Sequence, residues 1–200
     1  MSSMVIFVVL VVTLFGFTLH GNHELFSKTA PELIWIILIF AGLLGLNSIF
    51  LVEKKNNCME GLLLCPITRS MIFISKLTVF MIYLITIELI MLPLILIFLK
   101  LHLYHNWWDI FATLFLGAYD FAILGIVASA MIVDIKGSTT LVSILLIPLL
   151  FPVVLNAIMA TDYFLNDQAG LIWPEIRFML LFGVMFTVLS NLFFDYLWGG

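Results

Sequence analysis

Long apolar runs alternate with short polar breaks along the whole of this chain. Six runs stand out, at residues 4–19, 31–51, 77–99, 110–133, 139–160 and 176–198. All but the first reach the ~20 residues that a helix needs to cross the hydrocarbon core of a bilayer. The first is shorter, and a secretory signal peptide is the other reading of it. No basic residue precedes it and no A-x-A site stands before Gly21, so a membrane helix is preferred. Backbone groups in lipid must bond within their own segment, which makes the runs helices. Strand-like alternation is absent, against a β-barrel. Turn residues fall between the runs: Gly21-Asn22, Lys136-Gly137, Asn166-Asp167 and Ala169-Gly170.

Composition strengthens this reading. Hydrophobic residues make up 64% of the chain and charged residues 10%, against roughly 25% charged in a soluble domain. The net charge of −4 is spread out, which excludes a nucleic-acid partner and leaves membrane lipid as the surrounding solvent.

The longest charged interruption is 53–69, EKKNNCMEGLLLCPITR. Lysine and arginine set orientation, because basic loops stay inside. With the N-terminus inside, Lys54, Lys55, Arg69, Lys76 and Lys136 are inner, and Lys28, Lys100 and Arg177 outer. This places both termini on the cytoplasmic side. Cys58 and Cys65 share the inner loop and are expected as reduced, packed thiols. Their spacing suits no metal site. Residues 53–64 can form a short helix with Met59, Leu62 and Leu63 on one face and Lys55, Asn56 and Glu60 facing water. Pro66 would end it, and Thr68 would cap the helix that follows. Such a helix has a plain reading as an interfacial anchor.

The order of residues in this loop carries a resemblance. The run Met59-Glu60-Gly61-Leu62-Leu63-Leu64-Cys65-Pro66-Ile67-Thr68-Arg69, with Lys76 beyond it, resembles the coupling-helix region of ABC-2-type transporter permeases. Two more stretches narrow the match. These are Thr29-Ala30-Pro31-Glu32-Leu33-Ile34-Trp35 and the segment LVSILLIPLLFP at 141–152. Together they are similar to the cytochrome c maturation B, or heme exporter B, family from about Val11 onward. Two departures stand out. The family's usual basic amphipathic N-terminal helix is expected to be absent here or to belong to a natural start further upstream, and Asn57 stands where a glycine is common. Asn tolerates the left-handed turn better than most residues.

The resemblance implies an all-α integral membrane protein, one permease domain over 1–200, with six transmembrane helices and a short cytoplasmic coupling helix. It implies two copies in a complex with a separate ATP-binding cassette subunit, a heme-handling membrane protein and a heme chaperone. ATP would be bound by the partner subunit and heme would be the cargo of the complex. This chain would bind no cofactor and catalyse no reaction. The setting would be a bacterial inner membrane, or a mitochondrial one. On this reading Glu53, Lys54, Lys55, Glu60, Leu62, Leu63, Pro66 and Arg69 couple to the ATPase. The chain has no G-x-x-x-x-G-K-[ST] loop to cradle a nucleotide, in line with that division of labour. Rival readings are an ABC-2 permease for lipid or polysaccharide, and an assembly scaffold with no transport path. An intramembrane enzyme is disfavoured, since G-x-S-x-G, H-E-x-x-H and paired-aspartate motifs are all missing from the spans.

Within the apolar runs, Glu88, Asp120 and Asn156 are the polar candidates. A charge at mid-membrane costs roughly 2.5–3.5 kcal/mol on insertion scales. Protonation, or a hydrogen bond to Tyr83, Tyr119 or Asn156, would relieve it. A helix contact is the plain reading of the two acids, and a substrate or gating role the sharper one. Ala118, Ala122, Gly125 and Ser129 form a small-residue face suited to close helix packing. Pro148 and Pro152 predict a kink in the fifth span. His20, His23, His102 and His105 fall outside, near Trp107 and Trp108. The His102–Asp109 stretch is similar to the Trp-rich heme segment of the heme-handling partner but lacks its longer Trp-Gly frame. An interfacial role for the aromatic pair is therefore preferred.

Overall fold

The computed structural model describes residues 2–19, 23–55, 69–99, 107–132, 138–166 and 168–197. Each of the six apolar runs falls on its own helix, the last residues of the fourth and sixth runs, Val133 and Trp198, lying outside the described residues. These are α1 (Ser2–Leu19), α2 (His23–Lys55), α3 (Arg69–Leu99), α4 (Trp107–Ile132), α5 (Ser138–Leu165) and α6 (Ile172–Leu197), with a 3-10 turn at Ala169–Leu171 leading into the last. Five of them contain an apolar stretch long enough to cross a bilayer: Lys28–Leu46, Met71–Ile97, Trp107–Ser129, Ile144–Leu165 and Ile172–Asn191. The apolar part of α1, Met4–Thr18, is shorter. The contacts Trp35–Gly117 and Leu46–Gly125 set α2 parallel to α4, and Trp35–Thr161 with Gly125–Leu146 sets α5 antiparallel to both.

The helices outrun the apolar runs that predict them. α2 starts before Pro31 and carries that proline inside it. At its other end it continues through Glu53, Lys54 and Lys55, so these three extend the second helix instead of opening a new one. At ~1.5 Å per residue α2 is about 50 Å long, well beyond the ~30 Å hydrocarbon thickness. α3 likewise begins at Arg69, eight residues before its apolar run. Polar residues at the membrane surface do not stop a helix, because water satisfies whatever side chains they expose. The periodicity of apolar residues therefore marks the lipid-crossing part and not the helix ends.

α4 is the centre of the bundle. It packs against α2, α3, α5 and α6, while α1 packs on α2 and α3 at one side. The spanning window of α4 is 67% buried and that of α6 only 22%. Such burial needs close approach, and missing side chains supply it. A Cβ on Gly42 of α2 would stand 2.0 Å from the ring of Phe121. One on Gly117 would stand 2.1 Å from Trp35 Cη2. Gly125 takes Leu46 and Leu146 against it, while Ala118, Ala122 and Ser129 are buried beside it. The small face of α4 is thus a packing face. Phe80 of α3 meets Phe121 with ring centroids 5.7 Å apart.

A polar bond joins α2 to α5 across this core. Trp35 Nε1 on α2 donates to Thr161 Oγ1 on α5 at 3.0 Å, and the Thr161 hydroxyl donates to Ala157 O at 2.7 Å. α5 contains both Pro148 and Pro152 within one helix. Its far end is closed by the turn expected at Asn166. Asn166 N donates to Asp162 O at 2.9 Å, Gln168 N to Tyr163 O at 2.8 Å, and Asn166 Nδ2 to Asp162 Oδ1 at 2.8 Å. These bonds satisfy carbonyls that the helix end leaves free.

Two substitutions at one joint separate packing from hydrogen bonding. Trp35→Phe loses the bond to Thr161, and such bonds in membrane proteins average about 0.6 kcal/mol. Gly117→Val drives a branched side chain into the Trp35 ring, and overpacking costs about 1–3 kcal/mol. Reversible unfolding in mixed micelles should rank Gly117→Val as the more damaging. The opposite ranking would show that the joint is held by its hydrogen bond.

Candidate functional site

A polar seam lies between α4 and α6, where Asp120 meets Gly183 and Tyr119 meets Thr187. Helical spacing puts Asp109, Thr113 and Asp120 within about 40° of one another around α4, and all three are buried. On α6, Gly183, Thr187 and Ser190 share a face within about 60°. Asp120 and Gly183 meet. Asp120 Oδ1 lies 2.4 Å from the point where a Cβ on Gly183 would stand, and the Tyr119 ring lies 3.2 Å from the same point. The carboxyl fills the space that glycine leaves.

Beside this contact the hydroxyls form a short chain. Thr187 Oγ1 donates to Gly183 O at 2.6 Å. Its one proton is thereby used, so Tyr119 Oη is the donor in the 2.9 Å bond between Tyr119 and Thr187. Ser190 Oγ donates to Phe186 O, Asn191 Nδ2 to Thr187 O at 3.0 Å, and Thr113 Oγ1 to Asp109 O at 2.8 Å. Each of these side chains answers to a helix carbonyl or to a neighbour. Asp120 does not. It is 1% exposed, and neither of its carboxyl oxygens has a hydrogen-bond partner among the described residues. Glu88 Oε1 and Ser129 Oγ are in the same position.

Two of the three partners expected from sequence for the acids, Tyr119 and Asn156, are engaged elsewhere. Tyr119 is turned to Thr187, and Asn156 Nδ2 donates to Pro152 O at 2.7 Å along its own helix. Buried polar side chains in helices commonly bond the carbonyl one turn back, and that local bond wins over a long reach to a neighbouring helix. Gly183 and Thr187 were not singled out from sequence. Their i, i+4 spacing with Ser190 on α6 is a second small polar face, and pairing it with the acid of α4 would have pointed to the seam.

The segment expected to contact the ATPase lies almost wholly outside the described residues. Glu60, Leu62, Leu63 and Pro66 are outside. Glu53, Lys54 and Lys55 close α2, and Arg69 opens α3. His20, His102 and His105 are also outside, and His23 is the first residue of α2. Trp108 is 78% exposed at the start of α4 and Trp173 is 55% exposed at the start of α6. Both helices start at the same end of the bundle, where exposed tryptophans form an interfacial belt. Among the described residues no group of three His, Cys, Asp or Glu side chains could hold a metal. A small apolar groove opens between α1, α2 and α3, lined by Val12, Phe15, Ala30, Leu33, Ile37 and Ile95. It carries no polar group to orient a ligand.

A bundle of long apolar helices with a buried polar seam defines a multi-pass α-helical membrane protein. The chain belongs to the CcmB family: the family described as CcmB protein matches residues 1–194. Its relatives include heme exporter protein B of Haemophilus influenzae, 29% identical over 153 residues, which are 76% of this chain and 68% of that protein. Heme exporter protein B of Pseudomonas aeruginosa is 24% identical over 176 residues, covering 86% of this chain and 78% of that protein. The protein of the same name from Escherichia coli K12 is 29% identical over 70 residues, 35% of this chain and 32% of that one. No solved structure gives a significant match.

A double-mutant cycle measures how firmly the seam is joined. Tyr119→Phe and Thr187→Val, alone and together, should give a coupling of about 0.6 kcal/mol in unfolding free energy. A coupling of zero would show that the 2.9 Å pair contributes nothing to holding α6.

Proposed function

We propose that this chain is the membrane subunit of a heme-exporting ABC-type complex that serves cytochrome c maturation. The observation that carries the reading is the family match over residues 1–194, together with relatives named heme exporter protein B. ATP is hydrolysed on a separate cassette subunit. The segment 53–69 docks that subunit, with Glu60 and Arg69 as charged contacts, Leu62 and Leu63 as apolar anchors, and Pro66 ending the coupling helix. The extension of α2 to Lys55 supports this, because it carries Glu53, Lys54 and Lys55 beyond the apolar span toward water.

The complex sits in the bacterial inner membrane with both termini of this chain in the cytoplasm. It contains two copies of the chain, a heme-handling membrane protein and a heme chaperone. ATP turnover drives either passage of heme or release of the loaded chaperone.

Co-purification with the cognate ATPase tests the docking. Glu60→Lys combined with Arg69→Glu should abolish recovery of the ATPase and its stimulated turnover, with the chain still inserted in the membrane. Undiminished binding and turnover in the double mutant would sink the assignment of this segment. Genomic neighbours of a different kind, such as lipid or polysaccharide enzymes, would redirect the cargo.

A further inference from the structure

Asp120 occupies a place that suits one of its two ionisation states and not the other. The carboxyl lies against Gly183 in the most buried helix of the bundle, with no donor directed at either oxygen. A carboxylate needs donors, and the closest hydroxyls are already engaged: Thr187 gives its proton to Gly183 O, and Tyr119 gives its proton to Thr187. The uncharged acid loses far less by going without a partner. A carboxylate at this point must recruit water or break the Tyr119–Thr187 bond. Either requires α6 to move away, and α6 is the least buried of the five long spans.

We propose that Asp120 is a proton-operated latch between α4 and α6. In its acid form it seats on Gly183 and holds the seam closed. On release of the proton to entering water, the carboxylate takes donors from that water and the seam opens. The inference does not rest on the identity of the cargo or on the docking of an ATPase.

The surrounding charges leave this to Asp120 itself. The Phe80–Phe121 contact sets Asp120 level with Met81 of α3. At ~1.5 Å per residue, Tyr83 is then about 3 Å away along the axis, Lys76 about 8 Å, and Glu88 about 10 Å. On α2, the Gly42–Phe121 contact puts Glu32 about 15 Å away. On α5, the Gly125–Leu146 contact puts Asp162 and Tyr163 about 17 Å away. On α6, Arg177 and Glu175 are about 9 and 12 Å from the level of Gly183, and Asp195 about 18 Å the other way. Asp109 stands about 16 Å back along α4 itself. Among the described residues no cation stands at the level of Asp120.

Ser190→Cys reports on the seam, since Ser190 is buried on the α6 face that carries Gly183 and Thr187. The full chain in native membranes is treated with a water-soluble maleimide, and the peptide containing position 190 is read by mass spectrometry. The same measurement with Asp120→Asn corrects for titration of the thiol. After that correction, labelling should rise about tenfold per pH unit while the closed seam predominates. Gly183→Ala, whose Cβ collides with Asp120 Oδ1, should label fast at every pH. Equal pH slopes with and without Asp120→Asn overturn the proposal, and so does slow labelling of Gly183→Ala. Where Ser190→Cys disturbs the fold, dicyclohexylcarbodiimide decides on the unaltered chain. It adds across a carboxylic acid to give an N-acylurea. An adduct at Asp120 that declines as pH rises supports the latch, and no adduct at any pH overturns it.

Discussion

Close approach to α4 is the constraint on which the rest of this bundle depends. Between helices in lipid there is no hydrophobic drive of the kind that folds a soluble core, because acyl chains are as apolar as leucine. Cohesion must come from contact density. Here it comes from rings and branched side chains seated where glycine has none: Phe121 on Gly42, Trp35 on Gly117, and Leu46 on Gly125. The arrangement is reciprocal, since α2 offers a glycine to α4 and α4 offers two back. These two helices are thereby locked together before any polar group is counted. The Trp35–Thr161 bond then links α2 to α5 across the same joint, fixing rotation more than adding strength.

α6 is joined on different terms. Its contact with α4 is also built on a glycine, but what fills the space is a carboxyl and not a ring. Beside it stands a single tyrosine–threonine hydrogen bond. The bundle therefore has a dense side and a sparse side, and its least satisfied polar group lies on the sparse one.

Much of this was legible in the sequence. Apolar runs located every helix, because lipid allows no other secondary structure for an isolated segment. The small face of α4 and the turn at Asn166 were visible from residue types alone. The helix ends were not: residues 23–30 and the Glu53–Lys55 turn lie inside α2 although neither belongs to its apolar run. The surroundings of Asp120 were half legible. Its cost in a membrane is a property of one residue, but its seat on Gly183 joins positions more than sixty residues apart, and spacing within one helix does not reveal such a pair. Asn156 shows the same limit, since the carbonyl of its own helix outcompeted any distant acid.

The length of α2 has a mechanical consequence. It is one helix from His23 to Lys55, clamped near Trp35 by Gly117 and Thr161 and braced at Gly42 by Phe121. Beyond its apolar run, which ends at Leu51, it continues through Glu53, Lys54 and Lys55. Leu46 also seats on Gly125 of α4, so the rod is held at several points along its length. A sideways force on the Lys55 end is therefore delivered to α4 and α5 through Leu46, Phe121, Trp35 and Thr161.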